Sequence, residues 1–214
     1  MSAAINRAVI ADWSSENQER AAAILAQYPE SRSAVMPLLY IASREHAFAS
    51  EQAMREVADL VGVTPVQVRS VASFYTMFKR EPVGDYLVSV CTSISCHLLG
   101  GDAVLDAIAN ATGASHGETT EDGVISVERV ECIGACGGAP AVQVNYELIE
   151  GVTPEKGAEL VAWLAQTTPE VVLTDEMQHL FGGQRSFEWG PSEPEGATSA
   201  VPAFGPYGSA KEGR

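Results

Sequence analysis

VISVERVECIGACGGAPAVQVN, residues 124–145, holds two strand-like runs joined by a turn of small residues. The first run, 124–130, and the last, 141–145, are rich in valine and isoleucine, as strands are. Between them lie Cys132 and Cys136, spaced C-x3-C and followed by Gly137, Gly138, Ala139 and Pro140. A second stretch, YLVSVCTSISC at 86–96, repeats the design: a strand over 85–91 runs into Cys91 and Cys96, spaced C-x4-C. These are the chain's four cysteines, and 35 residues separate the pairs. Each pair sits where a hydrophobic run gives way to small residues. Four thiolates on two loops can complete the shells of both irons of a 2Fe–2S cluster.

Other chemistries use cysteines differently. Zinc takes tetrahedral sulfur sites with C-x2-4-C spacing, but neither gap here is the two-residue spacer of a ribbon or knuckle. Disulfides need an oxidising compartment, and MSAAINRAVIADW at the N-terminus has no apolar core after a basic start. A thioredoxin-type redox pair needs C-x-x-C, which is absent. A Rieske centre needs two histidine ligands. His97 follows Cys96, but no histidine lies beside the second pair, so His97 reads as a surface residue. The cluster is the expected occupant, with zinc the main alternative. Backbone N–H groups should then point at the sulfurs. Gly134, Ala135, Gly137, Gly138 and Ala139 would permit that approach, and Thr92, Ser93 and Ser95 offer hydroxyl donors. A helix opening at Gly100–Gly101 could turn its positive end toward the first pair.

The charge of −15 is unevenly spread. Residues 1–84 carry nine acids and eight bases, whereas 85–150 carry ten acids and one base, Arg129. Such a surface repels nucleic acid and anionic lipid, and suits docking to a basic protein face. It also opposes addition of an electron, which lowers a cluster's potential. With no run of 18 apolar residues, direct membrane insertion is not expected.

The pattern predicts an α+β fold: a small helical bundle over 1–84, an α/β domain over 85–167 and an extended or disordered tail over 168–214. In the bundle, Ser15 with Gln18 reads as a capping box opening a helix that stops before Pro29. A second helix spans 33–46 with Pro37 in its first turn, and Ser50 caps a third that stops at Gly62. Thr64-Pro65 opens a fourth through residue 78, and all four read as amphipathic. In the second domain a helix over 101–111, strands over 124–130, 141–145 and 147–150, and a helix opened by Thr153-Pro154 give the order β-α-β-β-α. That is a partial thioredoxin pattern, with Pro140 where such folds often carry a cis-proline. The tail holds seven glycines and five prolines in 47 residues. Phe187, Trp189, Phe204 and Tyr207 are spaced along it and could lie on a partner.

No G-x-G-x-x-G follows a strand, and neither G-x-S-x-G nor H-E-x-x-H occurs. No catalytic residue is assigned, and the chain reads as an electron carrier or relay.

VCTSISC and VECIGACGGAPAVQVN, with YPESRSAVMPLLYIASREH and VASFYTMF upstream, resemble the thioredoxin-like 2Fe–2S ferredoxin family. Within it the chain is most similar to the members that serve respiratory complex I, the proton-pumping NADH:quinone oxidoreductase. The resemblance runs from about Tyr28 to Leu164. It implies Cys91, Cys96, Cys132 and Cys136 as ligands of one 2Fe–2S cluster. It also implies a partner flavoprotein subunit that binds NADH and FMN, and further subunits of the complex's peripheral arm. The expected location is cytoplasmic, peripheral on the inner membrane through the complex. NAD-reducing hydrogenases and NAD-dependent formate dehydrogenases carry a similar module, and a free-standing ferredoxin is the third alternative.

Overall fold

The computed structural model describes residues 7–187 and Ala200. The described chain forms two compact units that divide between Pro82 and Val83. The first unit holds α1 (Ser15–Gln27), α2 (Val35–Glu45), α3 (Glu51–Val61) and α4 (Pro65–Phe74), with short 3-10 turns at Arg7–Ile10 and Ser31–Ala34. The second holds β1 (Tyr86–Cys91), α5 (Ile94–Leu98), α6 (Gly101–Thr112), β2 (Glu118–Thr119) and β3 (Ile125–Val130). After them come β4 (Ala141–Val144), β5 (Glu147–Glu150), α7 (Pro154–Thr167) and α8 (Thr174–Phe181). Among the described residues no helix is long and apolar enough to cross a membrane.

In the helical unit the expected caps at Ser50 and Thr64-Pro65 are present, and Gly62, at φ 72°, ends α3 in the left-handed conformation. Three details differ from expectation. The cap of α1 is Ser14, whose hydroxyl accepts from Asn17 N–H at 3.3 Å. Adjacent serines cap equally well. The choice is made by Glu45 on α2, which accepts from the Ser14 N–H at 3.0 Å, its hydroxyl at 2.6 Å and the Asn17 amide at 2.6 Å. Gln18, freed from a capping box, donates to Trp13 O at 2.9 Å. Second, α2 is not amphipathic: Leu38, Leu39, Tyr40, Ile41 and Ala42 are all buried, because α1, α3 and α4 pack around it. Each large side chain so buried contributes about 1.5–3 kcal/mol. Third, α4 ends at Phe74. The chain then turns, with Phe78 N–H donating to Tyr75 O, and Phe78 folds onto Tyr40 with ring centroids 4.7 Å apart.

The second unit is built on a five-stranded sheet in the order β2-β3-β1-β4-β5. β1 is central and all six of its residues are buried. It runs parallel to β3, through the α5–α6 crossover that a parallel pair requires, and antiparallel to β4. Asn145 and Tyr146, both at positive φ, make the two-residue turn from β4 to β5. The buried Asn145 amide accepts from Leu87 N–H at 2.8 Å and donates to Asp85 O at 2.9 Å, pinning that turn to β1. α6 packs against α7 closely at Gly157, where a Cβ would meet Val104 and Ile108 at 3.2 Å. The Ala139–Pro140 bond is cis, as expected.

The expected tail over 168–214 needs correction at its start. Residues 174–181 are helical, and Val172, Met177 and Phe181 are buried in the sheet's core. The physical reason lies in the exposed edge that β5 would otherwise present. From α8, Gln178 Oε1 accepts from Glu150 N–H at 2.8 Å and its Nε2 donates to Glu150 O at 3.1 Å, much as an added strand would. Phe187 is exposed, while Trp189, Phe204 and Tyr207 lie outside the described residues.

Candidate metal centre

The register of β1 on β3 pairs Cys91 with Val130, so both strands leave the sheet at the same end. The segments that follow, 92–96 and 131–136, therefore start side by side, and Thr92 N–H donates to Val130 O at 3.2 Å. β4 enters at that same end, since Val90 pairs with Val142. This topology delivers the segments that carry Cys91, Cys96, Cys132 and Cys136, up to 45 residues apart in sequence, to one end of the sheet. Cys91 and Cys96 are buried among Ala135, Ala141, Val130, Ile133, Ala139 and Leu148. Cys132 and Cys136 are exposed, with their sulfurs 3.5 Å apart.

All four are free thiols. Burial pushes the Cys96 thiol up to about 11; the Ala141 N–H bonded to its sulfur pulls the other way, and the neighbouring Cys91 and Cys136 push it further up. Cys136 is raised chiefly by its hydrogen bond with Cys132, and a hydrogen bond from the Ser95 hydroxyl works against that rise. Metal loading must displace these protons, so affinity rises with pH. The Ala141 N–H and the Ser95 hydroxyl are donors of the kind that a thiolate-bound cluster needs. Ser93 is engaged elsewhere: its hydroxyl donates to Glu131 Oε2 at 2.9 Å, tying the first cysteine segment to the second.

The start of α6 is shaped by the first pair. A Cβ on Gly101 would stand 2.7 Å from Cys91 O and 2.9 Å from Cys96 O, closer than real Cβ atoms come. Only glycine lets the helix approach both cysteine backbones. Asp102 in that first turn bonds to His97 and accepts from Arg129 Nη2 at 2.6 Å. The hydrogen bond to His97, then the charges of His97 and Arg129, hold Asp102 below the usual carboxylate range. His97 is exposed and occupied in this network, as a surface histidine.

The donor set fits a binuclear cluster. The cysteines come as two pairs, Cys96 hydrogen-bonded to Cys91 and Cys136 to Cys132. Sulfurs on one tetrahedral ion at about 2.3 Å would lie about 3.8 Å apart, close to the Cys132–Cys136 separation. Outside the pairs, Ile94, Leu98 and Leu99 are 77, 76 and 62 % exposed around Cys96. A cavity of about 530 Å³ between the end of α6, residues 119–122 and α7 includes none of the cysteines.

A family model of the thioredoxin-like [2Fe-2S] ferredoxin matches residues 21–165, well over half of the chain and all four cysteines. The chain belongs to this family. Membership of the thioredoxin-like 2Fe–2S ferredoxins makes it an iron–sulfur protein. The E subunit of NADH-quinone oxidoreductase from Mycobacterium tuberculosis is 44% identical over 147 residues, covering 69% of this chain and 58% of that protein. The chain thus spans under two thirds of the length of its mycobacterial relatives. NADH-quinone oxidoreductase subunit 2 of Thermus thermophilus is 41% identical over 142 residues, covering 65% of this chain and 78% of the relative. A crystal structure of an air-oxidized NAD+-reducing [NiFe]-hydrogenase aligns with TM-score 0.57 over 69% of this chain and 25% of that one, at 21% identity. That likeness is one of fold.

Proposed function

We propose that this chain is the 2Fe–2S electron-transfer subunit of an NADH:quinone oxidoreductase, with Cys91, Cys96, Cys132 and Cys136 as the ligands. The observation that carries the reading is the register of β1 on β3, which delivers two cysteine pairs to one sheet end with one pair buried and one exposed. A cluster held there supplies a one-electron acceptor near the surface. The chain's own residues set its surroundings. Ala141 N–H and the Ser95 hydroxyl donate to sulfur, Gly101 admits α6 against both cysteine backbones, and the acidic segment around them opposes reduction.

The exposed Ile94, Leu98 and Leu99 beside the site suit a partner with an apolar centre and a basic rim. The names of relatives at 41–44% identity, subunits of NADH-quinone oxidoreductase, support a place in a multi-subunit oxidoreductase. An NADH- and FMN-binding flavoprotein as that partner, in a peripheral assembly on the cytoplasmic side of the membrane, is part of the same proposal. In this role the chain exchanges single electrons with the partner's flavin and binds no nucleotide itself.

The test is reconstitution. The iron-loaded chain is mixed with the NADH-oxidising flavoprotein from the same source, and its visible absorption is followed after NADH is added. Bleaching only when both proteins are present supports the reading. A chain that forms no complex with the flavoprotein and keeps its absorption would remove that partner.

A further inference from the structure

The cysteine end of the sheet has a support that the family match, ending at residue 165, does not include. Glu150 closes β5 and is 2 % exposed. A carboxylate so deeply placed is costly unless donors reach it. Its Oε1 accepts from the Ser186 N–H at 3.0 Å and from the Ser186 hydroxyl. The same carboxylate presses on the turn that follows Cys136. A Cβ on Gly138 would overlap Glu150 Oε1 and stand 2.8 Å from its Cβ and Cδ; a Cβ on Gly137 would stand 3.0 Å from Ser186 Oγ. The backbone closes the arrangement: Gly151 N–H donates to Gly138 O at 2.6 Å, and Gly183 N–H donates to Glu150 O at 2.8 Å. Gln178 Nε2 also donates to Gly183 O at 3.2 Å, which joins the strap over 182–186 to α8.

We propose that Glu150, clamped by Ser186, is a positioning residue for the Cys136 turn and a fixed acidic group against that turn that would lower the potential of a cluster held by the cysteines. The proposal rests on the reading of the four cysteines as cluster ligands. Cys132 and Cys136 are exposed, so their loop gains little from burial of its own side chains. Gly137 and Gly138 have no side chains with which to hold the turn. The carboxylate and the Ser186 hydroxyl fill that space from outside. A negative charge packed against the turn two residues beyond a ligand also disfavours electron addition.

The experiment compares the full-length chain with Ser186→Ala, Ser186→Thr and Glu150→Gln. Hydrogen exchange is measured on the metal-free proteins. Chelator-driven iron release and midpoint potential are measured on the iron-loaded proteins. Ser186→Ala should raise exchange in the 134–151 segment but not in β1. It should also speed iron release about tenfold, the effect of losing a hydrogen bond to a charged acceptor. Ser186→Thr should restore both. Glu150→Gln keeps a neutral oxygen acceptor for Ser186, so release should speed by less than in Ser186→Ala while the midpoint rises. That potential shift is one that a merely structural role would not produce. Unchanged exchange and release in Ser186→Ala, or an unchanged midpoint in Glu150→Gln, overturns the proposal. The serine variants decide it if Glu150→Gln does not fold. A parent chain that takes up no iron overturns the ligand reading instead, and hydrogen exchange still judges the clamp.

Discussion

Replacing Gly101 with alanine sets two known effects against each other. Alanine in a helix interior is favoured over glycine by up to about 1 kcal/mol. On that basis alone Gly101→Ala would stabilise α6. The new Cβ, however, would stand 2.7 Å from Cys91 O, 2.9 Å from Cys96 O and 3.0 Å from Cys96 C. Each gap is short of ordinary contact by roughly half an ångström or more, given about 3.3–3.6 Å for carbon against a carbonyl oxygen. The atoms met are backbone, not the far ends of flexible side chains, so they cannot step aside singly. Overpacking of this kind costs about 1–3 kcal/mol. Gly101 is the first residue of α6, where the propensity gain is smaller than in an interior, so sterics win, for a net loss of up to about 2 kcal/mol. Because both oxygens belong to cysteines, the same displacement should reach the metal site. Urea unfolding of the metal-free chain and iron per chain after reconstitution are the assays. We expect a lower urea midpoint and a reduced iron content. A variant that is as stable as the parent and fully loaded would refute the steric reasoning.

Ser95→Ala removes a hydroxyl donor to the Cys136 sulfur, so the midpoint potential should fall while iron content is kept; redox titration checks the direction. Cys136→Ser should abolish or weaken cluster binding and leave the α1–α4 unit folded, since that unit contains no ligand; undiminished iron and sulfide would refute the assignment. Met177→Ala empties a fully buried position under α8 and should cost about 2–4 kcal/mol in urea unfolding, whereas an exposed tail would lose almost nothing. For the metal-free chain, burial lifts the Cys96 thiol to about 11, above the usual 8.5 or so of an unfolded chain, so the folded state holds that proton more tightly. The resulting stability is present below about pH 8.5 and is lost as pH rises toward 11. Urea midpoints taken across that range should decline, and a rise would contradict the shift.

The features legible in the sequence were those with a strong local signal. β1, β3 and β4 announce themselves by valine-rich runs bordered by the small residues of the cysteine segments, and Ser50, Gly62, Thr64-Pro65 and Thr153-Pro154 mark helix ends by their own chemistry. Short elements escaped. β2 has two residues, and α5 has five, with Ile94 and Leu98 turned outward where no periodicity can form. α8 escaped because its reason for existing, the open edge of β5, lies about 28 residues away. Ser14 outcompeted Ser15 through a carboxylate on another helix. At the site, the paired cysteines and the glycine turn were visible from spacing. Ser95 was legible as a hydroxyl donor, though not that its sulfur is Cys136. The turning of Ser93 to Glu131 and the bond from Ser186 to Glu150 are long-range contacts that only the folded topology creates.

The central claim is that these four cysteines hold a binuclear iron–sulfur cluster that takes one electron. Its most direct test is EPR of the purified chain after dithionite reduction, read with its visible spectrum and metal content. The account predicts a charge-transfer absorption that bleaches on reduction, about two irons per chain, and a rhombic signal from one unpaired spin. A colourless protein carrying one tightly bound zinc and giving no signal would contradict it.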